Sequence, residues 1–215
     1  MAIWIRELSA RLETPSPTRL PPTEARQAAV LVPLYVEAGQ LWTVLTKRSE
    51  HVPHHRSQIA FPGGARETGE DSWSTALRES EEELGIAPDK VLRMGFLDEA
   101  WTPSGFHIVP CVGAVPYPLE LTPNPDEIAE TFNIPLLEFA NPRLVEDRQV
   151  VINGRERMLR VYHVGGRQIW GLTARILHNL MARLGYEVAE EPLEGLSALS
   201  LSLPSMPSSS RSPKN

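Results

Sequence analysis

The sequence holds a single cysteine, Cys111, among its 215 residues. One thiol excludes an intramolecular disulfide, and it excludes a structural zinc site built on two or more thiolates of one chain. It fits a reducing compartment. A basic excess is also missing: 21 lysines and arginines face 27 aspartates and glutamates, a formal net charge of −6. General nucleic-acid binders carry the opposite imbalance. An anionic partner would therefore be small, and met by a local basic patch or by cations. Long apolar runs are absent too. The longest, residues 28–36, contains Pro33, whereas a membrane-spanning helix needs about 20 residues. The first residues become charged at Arg6 and Glu7, too soon for a secretory signal. The closing Pro213, Lys214 and Asn215 are not a peroxisomal address. These absences predict a cytoplasmic protein that binds neither membrane nor nucleic acid.

Proline is abundant, with 20 residues, and it clusters. Residues 13–23 contain Pro15, Pro17, Pro21 and Pro22 and read as a linker after a short helix. Half of residues 197–212 are serine. Such a tail buries too little apolar surface to offset its ordering entropy and is expected to be disordered. The expected organisation is an N-terminal helix and linker over 1–24, one α/β domain over 25–187 and a tail over 188–215.

Strand and helix signals alternate in between. Segments 28–36 and 41–47 read as strands joined by a hairpin. Segment 72–84 reads as a helix stopped by Gly85 and Pro88. Segments 91–99 and 106–115 read as strands, and 125–131 as a short helix starting near Asn124. Segments 145–152 and 157–163, around Asn153 and Gly154, form a second hairpin. A last helix covers 169–184. There are too few βαβ units for a doubly wound sheet.

The chemistry concentrates in residues 61–86. At about 100° per residue, Trp73, Ala76, Leu77, Ser80 and Leu84 form one buried stripe. Glu79, Glu82 and Glu83 lie on another third of the helix, and Glu81 points away from them. Like charges at i,i+3 and i,i+4 cost about 0.2–0.5 kcal/mol per pair, so three converging carboxylates ask for a cation. A bare run of glutamates is more often a solvated face. Here the helix is preceded by Phe61-Pro62-Gly63-Gly64, whose exposed backbone can approach a phosphate or offer a carbonyl to a metal. All-oxygen ligands suit hard cations, Mg²⁺ or Mn²⁺.

Gly64, Glu70 and the run Arg78-Glu79-Ser80-Glu81-Glu82-Glu83-Leu84-Gly85-Ile86 resemble the Nudix box, G-x5-E-x7-R-E-U-x-E-E-x-G-U. Every charged and glycine position agrees, and Ser80 alone stands where an aliphatic residue or alanine is usual. The resemblance implies a Nudix-type α/β/α sandwich with a mixed sheet, and a metal-dependent hydrolase of nucleoside diphosphate derivatives. It implies Glu79, Glu82 and Glu83 as metal ligands, with the Gly63 carbonyl as a further one. Glu82 or Glu127 would serve as general base, Arg78 would orient the glutamates, and Glu70 would brace the loop.

The segment ahead of the box resembles that of the coenzyme A pyrophosphatases: Leu45-Thr46-Lys47-Arg48-Ser49, then Gln58 and the glycine pair. Pro53 and Ser57 depart from that pattern, while His54, His55 and Arg56 offer positive charge nearby. Downstream, Thr102, Ser104-Gly105-Phe106, Asp126-Glu127-Ile128 and residues 169–177 also agree. This implies coenzyme A or a derivative as substrate, held by Lys47, Arg48, Arg56, Gln58 and Gly64. Arginine suits bidentate phosphate contacts, and coenzyme A carries a ribose 3′-phosphate besides its diphosphate. Two other readings stand. Pro103 fits a Nudix enzyme acting on ADP-ribose or a related dinucleotide. A catalytically silent nucleotide sensor is the reading of another class. An NADH pyrophosphatase is disfavoured because its zinc-binding cysteines are absent. His107 and His163 read as strand residues, and Cys111 as a small buried hydrophobe.

Overall fold

The computed structural model describes residues 3–21, 24–50, 58–152 and 155–186. A helix, α1 (Ile3–Glu13), precedes the long hairpin β1 (Arg26–Glu37) and β2 (Gln40–Arg48). Glu37 pairs with Gln40 across a two-residue turn, in which Ala38 and Gly39 take φ of 48° and 77°. Positive φ at both positions suits the right-handed twist of the flanking strands. Two short strands follow, β3 (Ile59–Ala60) and β4 (Gly63–Ala65), and then helix α2 (Ser72–Leu84). The chain continues through β5 (Leu92–Phe96), β6 (Ala100–Trp101), β7 (Phe106–Ala114) and β8 (Ile128–Pro135). It ends in the meander β9 (Val145–Ile152), β10 (Arg155–Val164) and β11 (Arg167–Trp170), and helix α3 (Gly171–Arg183).

Strands β1 to β8 form one mixed sheet. β1 runs parallel to β7 over Arg26 to Leu34, antiparallel to β2, and antiparallel to β4 where Val30 faces Gly63 and Ala29 faces Gly64. β8 pairs with β2. Alternation along β1 sends Ala29, Leu31 and Tyr35 into a core with Ala76 and Leu84 of α2. It sends Val32 and Leu34 into a second core with Ile5 and Leu12 of α1, Leu177 and Leu180 of α3, and Tyr162 and Ile169 of the three-stranded sheet. Burial on both faces is why residues 28–36 form an unbroken apolar run. The architecture is the expected α/β/α sandwich around a mixed sheet. No helix among the described residues is long and apolar enough to cross a membrane. Cys111 is fully buried, and burial pushes its thiol up to about 12.

Two of the expected elements are corrected. Residues 125–131 do not form a helix: a turn on Asn124 leads into strand β8, with Glu127 and Ile128 both donating to the Asn124 carbonyl. Ile128, Thr131, Phe132 and Ile134 suit a strand, and pairing with β2 outweighs the helical preference of the short segment. Ile169 and Trp170 belong to β11, paired with Tyr162 and Val161, so the last helix begins at Gly171. The 188–215 tail, Arg56, Pro53, Ser57 and the Asn153-Gly154 turn lie outside the described residues.

Candidate active site

Helix α2 has well-defined ends. The Asp71 carboxylate accepts from the Ser74 amide, and Gly85 closes the helix in the left-handed region at φ 71°. Both features satisfy orphan backbone groups. The carbonyls of Glu83 and Leu84 are capped from outside by the amides of Asn124 and Thr122. That contact holds the 122–127 loop against the helix end and brings Glu127 to the site. The Asn124 side chain donates to Glu127 at 3.3 Å, a positioning role that its place three residues ahead of Glu127 could have suggested. The stripe of α2 differs slightly from expectation. Ala76, Ser80 and Leu84 are buried, whereas Trp73 and Leu77 sit half-buried at its margin. Ser80, the one departure from the box, donates its hydroxyl to the Ala76 carbonyl at 2.6 Å, so no polar group is left unpaired in the core.

The three glutamates share a face but not an environment. Glu83 is 2% exposed, Glu79 17% and Glu82 55%. Glu83 Oε1 lies 3.2 Å from Arg48 on β2, and its Oε2 accepts from the Gly63 amide at 3.1 Å. Burial pushes the Glu83 carboxyl up to about 7, against the pull of Arg48 and the Gly63 amide, and the nearby Glu79 and Glu127 carboxylates raise it further. Glu79 is raised as well, by burial first and also by Glu82 and Glu127, with Arg78 opposing. Arg78 is held by many contacts. It bonds Glu70 at 2.7 Å, the Ala65 carbonyl at 3.0 Å, Glu79 at 2.9 Å and Glu82 at 3.1 Å. Glu70 also accepts from the Glu67 amide and the Thr75 hydroxyl. Arg78 with these donors holds the Glu70 carboxyl down at about 2. Glu70 thus spans the loop before α2, and Arg78 links it to Glu79 and Glu82.

The structure therefore gathers Arg48, Gly63, Gly64, Arg78, Glu79, Glu82, Glu83 and Glu127 at one end of the sheet. Gln58 joins through its backbone carbonyl, which accepts from the Arg48 amide. Lys47 makes no hydrogen bond or ion pair with these carboxylates among the described residues, and the register of β2 against β8 shifts between Lys47 and Arg48. His107 and His163 lie in β7 and β10 and pair with Glu99 and Glu146.

A divalent cation fits the donor set. Glu79, Glu83 and Glu127 supply oxygen donors, and burial together with the neighbouring carboxylates disfavours the charged forms of Glu79 and Glu83, the condition that a cation relieves. No three acidic, histidine or cysteine side chains among the described residues enclose an ion on their own. Mg²⁺ usually keeps several waters and takes substrate phosphates as further ligands.

The raised Glu83 carboxyl has a stability consequence. The folded state binds this proton more tightly than the unfolded chain, whose value is 4.5. Its contribution is complete below about pH 4.5 and is lost as pH rises to about 7. In chelator, wild-type protein is expected to lose about 2–3 kcal/mol relative to Glu83→Gln between pH 4.5 and 8. Urea melts at both pH values measure this, and a difference independent of pH would refute the raised carboxyl.

The NUDIX domain family matches residues 25–153. The chain belongs to the Nudix family. The matched segment contains the acidic helix with Arg78, Glu79, Glu82 and Glu83. A protein of Pectobacterium atrosepticum, described as an uncharacterised Nudix hydrolase, NudL, is 37% identical over 188 residues, 85% of this chain and 96% of its own. Its namesake in Photorhabdus laumondii is 36% identical over 171 residues, 79% of this chain and 91% of its own. Among solved structures, a MutT/nudix family protein from Enterococcus faecalis aligns at 17% identity and a TM-score of 0.49, covering 86% of this chain and 70% of that one. The chain is a Nudix hydrolase and hence an enzyme, and Nudix hydrolases generally use divalent metal ions.

Proposed function

We propose that this Nudix hydrolase cleaves the diphosphate of coenzyme A and its derivatives. The products would be 4′-phosphopantetheine, or its acyl form, and adenosine 3′,5′-bisphosphate. The observation that carries the reading is Arg48, which ends the coenzyme A-like segment of β2 and stands 3.2 Å from Glu83. A guanidinium there lies beside the carboxylates, where a diphosphate would be cut.

The residue roles follow from the contacts. Glu79 and Glu83 are the main ligands for Mg²⁺ or Mn²⁺, with Glu82 and the Gly63 carbonyl as further ones. The cation would neutralise diphosphate charge and lower the pKa of an attacking water. Arg78, fixed by Glu70 and Ala65, sets the rotamers of Glu79 and Glu82. Glu127, held by Asn124, or the more exposed Glu82, takes the proton from water. Water attacks phosphorus directly, since no Ser/His/Asp or Cys/His nucleophile set stands at the site among the described residues. Arg48 contacts the diphosphate, while Arg56 or Lys47 takes the 3′-phosphate, and Gln58 and Gly64 line the approach. The enzyme works in the cytoplasm on a small-molecule substrate.

The test compares coenzyme A with 3′-dephospho-coenzyme A. A charge-assisted contact contributes about 1.5–3 kcal/mol, or roughly 10- to 150-fold. Coenzyme A should be preferred by that factor in kcat/KM. Alanine at Arg56 or Lys47 should shrink the ratio and leave dephospho-coenzyme A turnover nearly unchanged. Equal kcat/KM for the two removes the 3′-phosphate role. Turnover of ADP-ribose well above coenzyme A replaces this reading with the ADP-ribose one, and no metal-dependent turnover of either leaves the sensor.

A further inference from the structure

We infer that Arg48 is a two-position residue, paired with Glu83 until a divalent cation takes that carboxylate, and then released to the substrate diphosphate. This rests on the reading that Glu83 is a metal ligand, and it adds an order of events: cation first, anion second.

The two arginines of the site are held very differently. Arg78 has five hydrogen bonds or ion pairs at 2.7–3.3 Å, to Glu70 twice, Ala65, Glu79 and Glu82. It is locked. Arg48 has one ion-pair partner among the described residues, Glu83, through one nitrogen at 3.2 Å. Charge-assisted bonds are normally about 2.7–2.9 Å, so this contact is a long, single tether. The Arg48 side chain is 26% exposed, whereas Glu83 is 2% exposed, so the arginine is the partner with room to move. Its backbone stays fixed, since its amide donates to the Gln58 carbonyl at 3.0 Å and its strand pairs with Ile128 of β8.

Both Glu83 oxygens already hold a donor. Oε2 is engaged by the Gly63 amide and Oε1 by Arg48. The amide belongs to β4 and cannot leave without breaking the pairing of Gly63 with Val30. A cation on Oε1 would stand against the Arg48 guanidinium, and repulsion between the two positive charges sets them in competition for that oxygen. Once displaced, the guanidinium stands next to a like charge, and the nearest favourable partner is an anion bound to the same site. Cation and diphosphate affinities are then coupled through Arg48, and such coupling is reciprocal.

The test is a binding measurement without turnover. Free Mn²⁺ is followed by electron paramagnetic resonance at pH 9, well above the Glu83 value, for wild type, R48M, R48K and E83Q. R48M is expected to bind Mn²⁺ about tenfold more tightly, because the competing charge is gone. R48K should stay near wild type. With Mn²⁺ saturating, R48M should bind α,β-methylene-ADP about tenfold more weakly, the opposite sign. A purely structural role for Arg48 would weaken both ligands together. Mn²⁺ binding by R48M that is no tighter than wild type overturns the inference while the metal site stands. Mn²⁺ binding by E83Q equal to wild type overturns the metal site and this inference with it. If R48M melts below the assay temperature, R48Q carries the same comparison.

Discussion

Glu83→Gln and Glu79→Gln are each expected to lower turnover at least about 100-fold, the scale on which a preorganised electrostatic contact acts on a transition state. Glutamine keeps the length and shape of the side chain and removes the charge. At Glu83 it also disturbs a paired arrangement. Its amide cannot accept from both Arg48 and the Gly63 amide, as the carboxylate does. At Glu79 it removes a charge that Arg78 holds in place at 2.9 Å. Glu81→Gln is the control. Glu81 is exposed on the far flank of α2, so its turnover should stay within about twofold, as surface substitutions away from a site do. Steady-state rates with saturating Mg²⁺ decide the matter. Equal losses in all three variants would mean that the helix-facing argument fails. Recovery of the Glu79 or Glu83 variant at higher Mg²⁺ would mean that affinity was lost and not transition-state stabilisation.

What the sequence made legible depends on how local the determining physics is. Helix α2 was readable to both ends because its signals are local: the Asp71 cap, the apolar stripe and the Gly85 stop. The long run of β1 read as a strand, and it is unbroken because two cores draw on its alternate residues. Segment 125–131 misled because Asn124 followed by Asp126 and Glu127 imitates a helix start, while the partner that makes it a strand is β2, 80 or more residues away in sequence. The same distance effect hides the site's electrostatics. Helix geometry puts Glu79, Glu82 and Glu83 on one face, but it cannot separate their exposures. Glu83 is sunk because β4 and the 122–127 loop close over the helix end, and its partner Arg48 comes from another strand. Spacing alone places the box residues on one helix, whereas the difference between a locked Arg78 and a tethered Arg48 is set by strands and loops distant in sequence.

The two glycines of the Phe61-Pro62-Gly63-Gly64 segment should fail in different ways when replaced by alanine. At Gly63 a Cβ would stand 2.3 Å from the Ala29 carbonyl oxygen and 2.6 Å from the Val30 Cα. Both are backbone atoms of β1, the central strand, and cannot step aside. Gly63→Ala is therefore expected to destabilise the fold by at least about 3 kcal/mol, at the upper end of single substitutions and in line with overpacked cores. At Gly64 a Cβ would stand 2.4 Å from the Glu79 carboxylate carbon. That neighbour is the far end of a flexible side chain, and it can rotate away. Gly64→Ala should fold with near-normal stability and lose about 100-fold in turnover, because a displaced ligand of about 1 Å is enough for such a loss. Thermal melts and rates on the same preparations separate the two outcomes. A Gly64→Ala enzyme with wild-type turnover would show that the Glu79 carboxylate need not occupy the place against Gly64, and the ligand assignment of Glu79 would fall with it. A Gly63→Ala protein as stable as wild type would show that β4 can withdraw from β1, which would also free the Gly63 amide from Glu83.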